Sequence, residues 1–146
     1  MGLMDHPSVY LDTNIVIRLI EYRDEEVQAF LRSVHARNGM VVSSELTLAE
    51  VLVLPIKDRD HELVAHYEGF LTTGDGIVIV PVGRTVLRRC AELRAEFGGR
   101  TPDAIHVASA IEAKCQYFLT ADRRIRAPTT LKMLDIGTLP DWNTLP

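Results

Sequence analysis

Four acidic side chains interrupt or border apolar segments: Asp12 in VYLDTNIVI, Glu50 in LTLAEVLVL, Asp103 in TPDAIHVASA and Asp122 in FLTADRRI. A charge set among apolar residues is costly unless it is compensated. Brought into one cleft, four carboxylates repel and are driven toward protonation unless a cation neutralises them. An all-oxygen set of this kind suits a hard divalent ion, Mg²⁺ or Mn²⁺, which keeps some waters and can also take substrate phosphate. Zinc is disfavoured. Cys90 and Cys115 lie far apart, and His6, His35, His61, His66 and His106 include no HxH or HExxH spacing.

Most of the acids also have a local explanation. Asp12 and Asn14 are helix caps by type, because their side chains accept bonds from first-turn amides. Asp103 opens PDAIHVASAIEA, where a helix dipole favours an anion. Asp122 in TADRRI suits an Asx turn or a cap. Glu50 fits no such pattern: Leu46 to Leu54 is otherwise apolar except for Thr47, so a helix there offers almost no polar face. His106 lies three residues beyond Asp103 on the same helix side and could approach the acids, although packing or hydrogen bonding is its favoured reading.

Holding these residues together requires an alternation of elements. Apolar runs and breakers predict strand 8–11, helices 14–22 and 25–37, strand 40–43, helices 45–54 and 59–72, and strand 77–81. Helices 84–97 and 102–114, strand 116–120, a turn at 123–126 and strand 131–135 follow. Asn38-Gly39 and Gly98-Gly99 read as helix stops and Pro55 as the end of the third helix. Gly74-Asp75-Gly76 precedes the strand IVIV, and Thr101-Pro102 reads as a cap followed by a first-turn proline. Strands separated by helices pair in parallel, and IVIV suits a sheet covered on both faces. The expected fold is a three-layer α/β domain, a single domain over residues 1–146. Ligands of such sheets collect outside the carboxyl ends of the strands, where Asp12 and Asp122 fall.

Composition narrows the classes. With 47% apolar and 25% charged residues the chain reads as an ordinary globule, and no apolar run nears the ~20 residues that span a bilayer. The N-terminal MGLMDHPSVY lacks the basic segment, apolar core and cleavage site of an export signal, so the expected location is cytoplasmic, without a membrane partner. Cys90 and Cys115 read as small core residues. The net charge of −4 is uneven: residues 1–83 carry six Lys/Arg against thirteen Asp/Glu, and residues 84–132 carry ten against five. Solvated helix faces often look like this, yet a basic second half also suits a polyanion held near an acidic site.

The ordered set VYLDTNIVI, LTLAEVL, TPDAIHVASA and FLTADRRI resembles PIN-domain ribonucleases, especially the VapC-type toxins of prokaryotic toxin–antitoxin pairs. In that family an acid in a D-[ST]-[NS] pattern follows the first strand, a glutamate lies on a helix near the middle, and two later aspartates complete the site. Asp12, Glu50, Asp103 and Asp122 match in order and context. The resemblance implies a five-stranded parallel sheet ordered 3-2-1-4-5 and a Mg²⁺- or Mn²⁺-dependent endoribonuclease that hydrolyses RNA phosphodiesters. Asp12 and Asp103 are then expected as direct metal ligands, Glu50 and Asp122 as direct or water-mediated ones, and Thr13, Asn14 and Thr120 as residues orienting carboxylates or waters. It also implies a homodimer and a small antitoxin protein that blocks the cleft, with operator DNA reached only through their complex.

Arg84, Arg88, Arg89, Arg123, Arg124 and Arg126 are candidate contacts to the RNA backbone, because guanidinium groups engage phosphate bidentately. Tyr10, Tyr117 and Phe118 read as core, while Trp142 suits either packing or a partner. Two other readings compete. A haloacid-dehalogenase-like phosphatase also places an Asp after its first strand, but it wants a second Asp where this chain has Asn14. A PIN domain that binds RNA or a partner without cleaving is the other.

Overall fold

The computed structural model describes residues 7–74 and 76–145, so the readings made on residues 1–6 and on Asp75 lie outside the described residues. The central strand β1 (Ser8–Leu11) is buried throughout and leads into α1 (Thr13–Ile20) and α2 (Glu25–Ala36). Next come β2 (Met40–Ser44), α3 (Glu45–Val51), α4 (Val53–Lys57), α5 (His61–Phe70) and β3 (Val78–Val80). The chain continues through α6 (Arg84–Phe97), α7 (Thr101–Glu112), β4 (Tyr117–Thr120) and β5 (Lys132–Asp135). The five strands form one parallel sheet in the order β3-β2-β1-β4-β5.

Alternation along β1 divides the core. Val9 and Leu11 face one side, joining Val16, Val27, Phe30 and Val34 beneath α1 and α2. Tyr10 faces the other, joining Val86, Cys90, Val107 and Ala108 beneath α6 and α7. Each fully buried aliphatic or aromatic side chain contributes roughly 1.5–3 kcal/mol relative to exposure, which makes this double covering the main source of stability. Trp142 is 1% exposed, with its ring centroid 5.3 Å from that of Phe30 and 5.2 Å from that of Tyr117, so it packs into the core. Cys90 and Cys115 are buried free thiols. Among the described residues no helix is long and apolar enough to cross a membrane.

Three local expectations are corrected. The helix expected over 45–54 breaks after Val51, and Pro55 sits inside the next helix, α4. A proline cannot bond the carbonyl four residues back and its ring crowds it; for Pro55 that residue is Val51, where α3 ends. The second correction is that Thr101 is the first residue of α7 and not its cap, because Ala104 N bonds the Arg100 carbonyl at 3.1 Å. The third concerns solvent: Val53, Leu54 and Ile56 of α4 are 61%, 66% and 59% exposed, so the apolar run around Glu50 is not a buried helix.

The stop at Asn38-Gly39 divides its work. Asn38 takes the left-handed conformation (φ 57°), and Gly39 permits a close approach. A Cβ on Gly39 would lie 2.7 Å from Val34 Cγ1 and 2.8 Å from the Pro7 carbonyl oxygen. Gly39→Ala is therefore expected to destabilise by roughly 1–3 kcal/mol through overpacking. Gly69→Ala, on α5 with nothing within 4 Å of the added carbon, should instead stabilise by about 0.4–1 kcal/mol. Urea unfolding of the two variants checks the opposite signs.

Candidate active site

Asp12 occupies the step between β1 and α1. Its amide continues the sheet by bonding the Leu119 carbonyl at 3.0 Å, its backbone is extended (φ −66°, ψ 158°), and the residue is 4% exposed. A strong cap reaches the second or third amide of its helix. Asp12 Oδ1 instead accepts from Thr13 N, at 2.9 Å, the first helical amide. Its Oδ2 accepts from Thr120 Oγ1 at 2.7 Å and Asn14 Nδ2 at 3.0 Å. These partners are themselves fixed, since Asn14 Oδ1 accepts from Ala121 N at 3.0 Å and Thr120 Oγ1 accepts from Asp122 N at 2.9 Å.

Glu50 reaches the same place from α3. Its Oε1 accepts from Thr13 Oγ1 at 2.7 Å and lies 2.6 Å from His106 Nε2. Burial pushes the Glu50 carboxyl up, but the bonds from His106 and Thr13 outweigh it and hold the group below its ordinary value. The side chain is 34% exposed, more open than its apolar sequence context suggests. His106, 1% exposed on α7, also places Nδ1 2.7 Å from the Tyr10 hydroxyl, which lies 2.8 Å from Ser44 Oγ. A carboxylate only accepts, so Nε2 carries the proton in the bond to Glu50. His106 Nε2 is 3.9 Å from Asp12 Oδ1.

Asp103, in the first turn of α7, behaves oppositely. Burial raises its carboxyl, and the negative charges of Asp12 and Asp122 raise it further against the pull of Arg100 and His106. Asp122 is held low by Arg124, whose Nε donates to Oδ1 at 3.0 Å, Nη2 to Oδ2 at 3.1 Å and backbone N to Oδ1 at 2.9 Å. Asp12 and Asp122 therefore act electrostatically on Asp103, and Glu50 is linked to Asp12 through His106. Among the described residues, however, no group of three or more His, Cys, Asp or Glu side chains is arranged to hold a metal ion.

A sequence model of the PIN domain matches residues 9–129. The chain belongs to the PIN domain family. Comparison with curated proteins finds no match. Among solved structures, VapBC2 from Rickettsia felis, crystallised with a DNA fragment from its promoter, superposes with a TM-score of 0.73 at 18% identity, covering 88% of this chain and 98% of that one. DNA-bound VapBC from Salmonella typhimurium gives the same figures, 0.73, 18%, 88% and 98%. VapC20 from Mycobacterium tuberculosis, a sarcin–ricin-loop-cleaving toxin, gives 0.55 at 19% identity over 75% of this chain and 86% of that one. At these identities the likeness concerns the fold.

The arginines of this PIN domain are less free than their sequence suggests. Arg89 pairs with Glu112 at 2.9 Å, Arg123 pairs with Asp135 and Arg124 with Asp122. Arg84, Arg88 and Arg126 are exposed and form no side-chain hydrogen bond or ion pair among the described residues. The residue that sequence reasoning underweighted is His106; its three-residue offset from Asp103 was the available signal, but nothing in the string places Glu50 and Tyr10 against its two nitrogens. Replacing the ring without its nitrogens, His106→Phe, should let the Glu50 carboxyl rise toward its ordinary value in a ¹³C NMR titration. Because a depressed carboxyl stabilises the fold above its unfolded titration range and loses that stability as pH falls, the variant should also lose less stability on acidification. An unmoved Glu50 titration would leave His106 a packing role alone.

Proposed function

We propose that this PIN domain is a divalent-metal-dependent endoribonuclease that hydrolyses RNA phosphodiesters and acts as the toxin of a toxin–antitoxin pair. The observation that carries the reading is the buried Asp12 carboxylate at the carboxyl end of the central strand, within the field of Asp103 and bonded through Thr120 to the backbone of Asp122. The donor chemistry fits a hard cation, because all four groups are carboxylates, and Asp103 is raised first by burial and then by Asp12 and Asp122 against Arg100 and His106. Asp12, Glu50, Asp103 and Asp122 are the residues that would hold Mg²⁺ or Mn²⁺. The ion would supply charge neutralisation for the phosphodiester and acidify a water.

The chain's own groups do the remainder. Thr13 and His106 hold Glu50 through Oε1, while Asn14 and Thr120 fix the plane of Asp12. Asp122 must exchange Arg124 for the incoming ion. Arg84, Arg88 and Arg126 are open to phosphate, and Arg123 and Arg124 become so when released from Asp135 and Asp122. The VapBC neighbours are complexes, and the exposed aliphatic face of α4 supports a protein partner here. We assign a small antitoxin to that role, with a homodimer as the toxin's own assembly and operator DNA bound through the complex. The phosphatase reading has no support, because Asn14 stands at the required second Asp and is committed to Asp12 and Ala121.

RNA cleavage should require Mg²⁺ or Mn²⁺ and disappear in EDTA, and Asp12→Asn or Asp103→Asn should lower it at least about a hundredfold. Intact cleavage after thorough chelation sinks the reading, and RNA binding without cleavage under any metal would indicate the non-cleaving PIN domain. Stability separates the acids in metal-free protein. The raised Asp103 costs stability once the pH exceeds its unfolded value, so Asp103→Asn should raise the melting temperature at pH 7, a gain fading below about pH 4. Asp122→Asn, which removes the partner of Arg124, should bring no such gain.

A further inference from the structure

Between the end of α6 and the start of α7 the structure holds a cavity of about 340 Å³. Leu93, Phe97, Ala104 and Ile125 give it an apolar floor, Arg100, Arg124 and Arg126 a cationic rim, and Asp103 is the single acid in its lining. The volume lies within the roughly 300–1,000 Å³ typical of small-molecule sites. Its wall is preformed: Gly98 and Gly99 turn the chain with φ of 74° and 86°, Gly98 N bonds the Arg94 carbonyl at 2.9 Å, and Arg94 Nε donates to the Gly99 carbonyl at 3.1 Å. Among the described residues, nothing lies within 4 Å of where a Cβ on Gly98 or Gly99 would stand. Arg100 and Arg126 are exposed and form no side-chain hydrogen bond or ion pair among the described residues.

We propose that this cavity receives one nucleotide of the RNA, its base against Phe97 and Ile125 and its phosphate between Arg100 and Arg126. The inference rests on the nuclease reading and deepens it by naming a subsite. A nucleotide is the occupant whose chemistry matches both halves of the lining: a flat apolar face that stacks on an aromatic ring, and an anion that pairs with guanidinium. Asp103 belongs to both the cavity and the candidate active site, so a chain anchored here runs directly to the acids. The cationic rim attracts any polyanion, an acidic protein segment included, but an aromatic and aliphatic floor gives such a segment nothing to stack.

The test is an NMR titration of the full ¹⁵N-labelled chain in EDTA with the four nucleoside 3′,5′-bisphosphates, with inorganic phosphate and with an oligoglutamate peptide. At least one nucleotide should move the amides of Gly98, Gly99, Arg100, Ile125 and Arg126, and should bind at least about fivefold more tightly than phosphate because the base adds stacking. Phe97→Ala should remove that advantage, and Arg126→Ala, at an exposed position that leaves folding unaffected, should weaken nucleotide binding about fivefold. Equal affinity for phosphate and nucleotides, shifts at other amides, or the peptide binding here while nucleotides do not would each overturn the proposal. Metal-dependent RNA cleavage is measured in parallel. Cleavage without a nucleotide response overturns the subsite alone, whereas a nucleotide response without cleavage overturns the nuclease reading and leaves a nucleotide site.

Discussion

Asp12 sits 4% exposed at the end of the central strand, and the site depends on the donors that surround its carboxylate. A buried carboxylate without bonds costs several kcal/mol, so it persists only where geometry supplies partners. Here they come from two elements: Thr13 and Asn14 from the first turn of α1, and Thr120 from the end of β4. The pairing of Leu11 with Leu119 brings those ends level, and the Asp12 amide to the Leu119 carbonyl locks the step. Shifting β4 by one residue would remove Thr120 from Oδ2 and turn its side chains to the wrong face. Sheet register and site chemistry are thus the same constraint.

The sheet also carries the site through its thickness. Tyr10 points to the face opposite Leu11, stacks on Phe118 with centroids 5.3 Å apart, and sends its hydroxyl to His106 and Ser44. Its ring is core and its oxygen is a fixed bonding partner, an arrangement that burial enforces by keeping the phenol protonated. Through His106 it connects β1 and β2 to α7 and then to Glu50 on α3. Four rigid elements therefore determine where one carboxylate oxygen of Glu50 lies, even though that side chain reaches solvent.

Legibility in the sequence followed locality. The strand-then-acid pattern gave Asp12 and Asp122 their places, and the spacing of apolar runs gave the strands and the parallel sheet, because those signals reside in adjacent residues. The break at Pro55 was misplaced because the proline acts on the carbonyl of Val51, four residues back, and not at its own position. Glu50 reads as poorly solvated because Val53 and Leu54 are apolar, yet nothing in the string shows that Val53, Leu54 and Ile56 stay exposed on α4. His106 required tertiary information, namely which acid it faces. Arg124 looked like an open phosphate contact and instead grips the carboxylate two residues before it.

That grip changes the charge balance of the whole site. Asp122 has Arg124, Glu50 has His106 and Thr13, and Asp12 has three neutral donors, whereas Asp103 accepts no hydrogen bond among the described residues and is opposed by the charges of Asp12 and Asp122. Asp103 thus lacks a hydrogen-bond donor among the described residues and is offset only through space by Arg100 and His106. Under the proposed metal-dependent reading, a cation held by Asp103 would also compete with Arg124 for Asp122. Arg124 stands on the rim of the cavity that Asp103 lines. Freed from Asp122, its guanidinium would stand beside the proposed nucleotide subsite, so on that reading filling the acidic half of the site would strengthen the basic half.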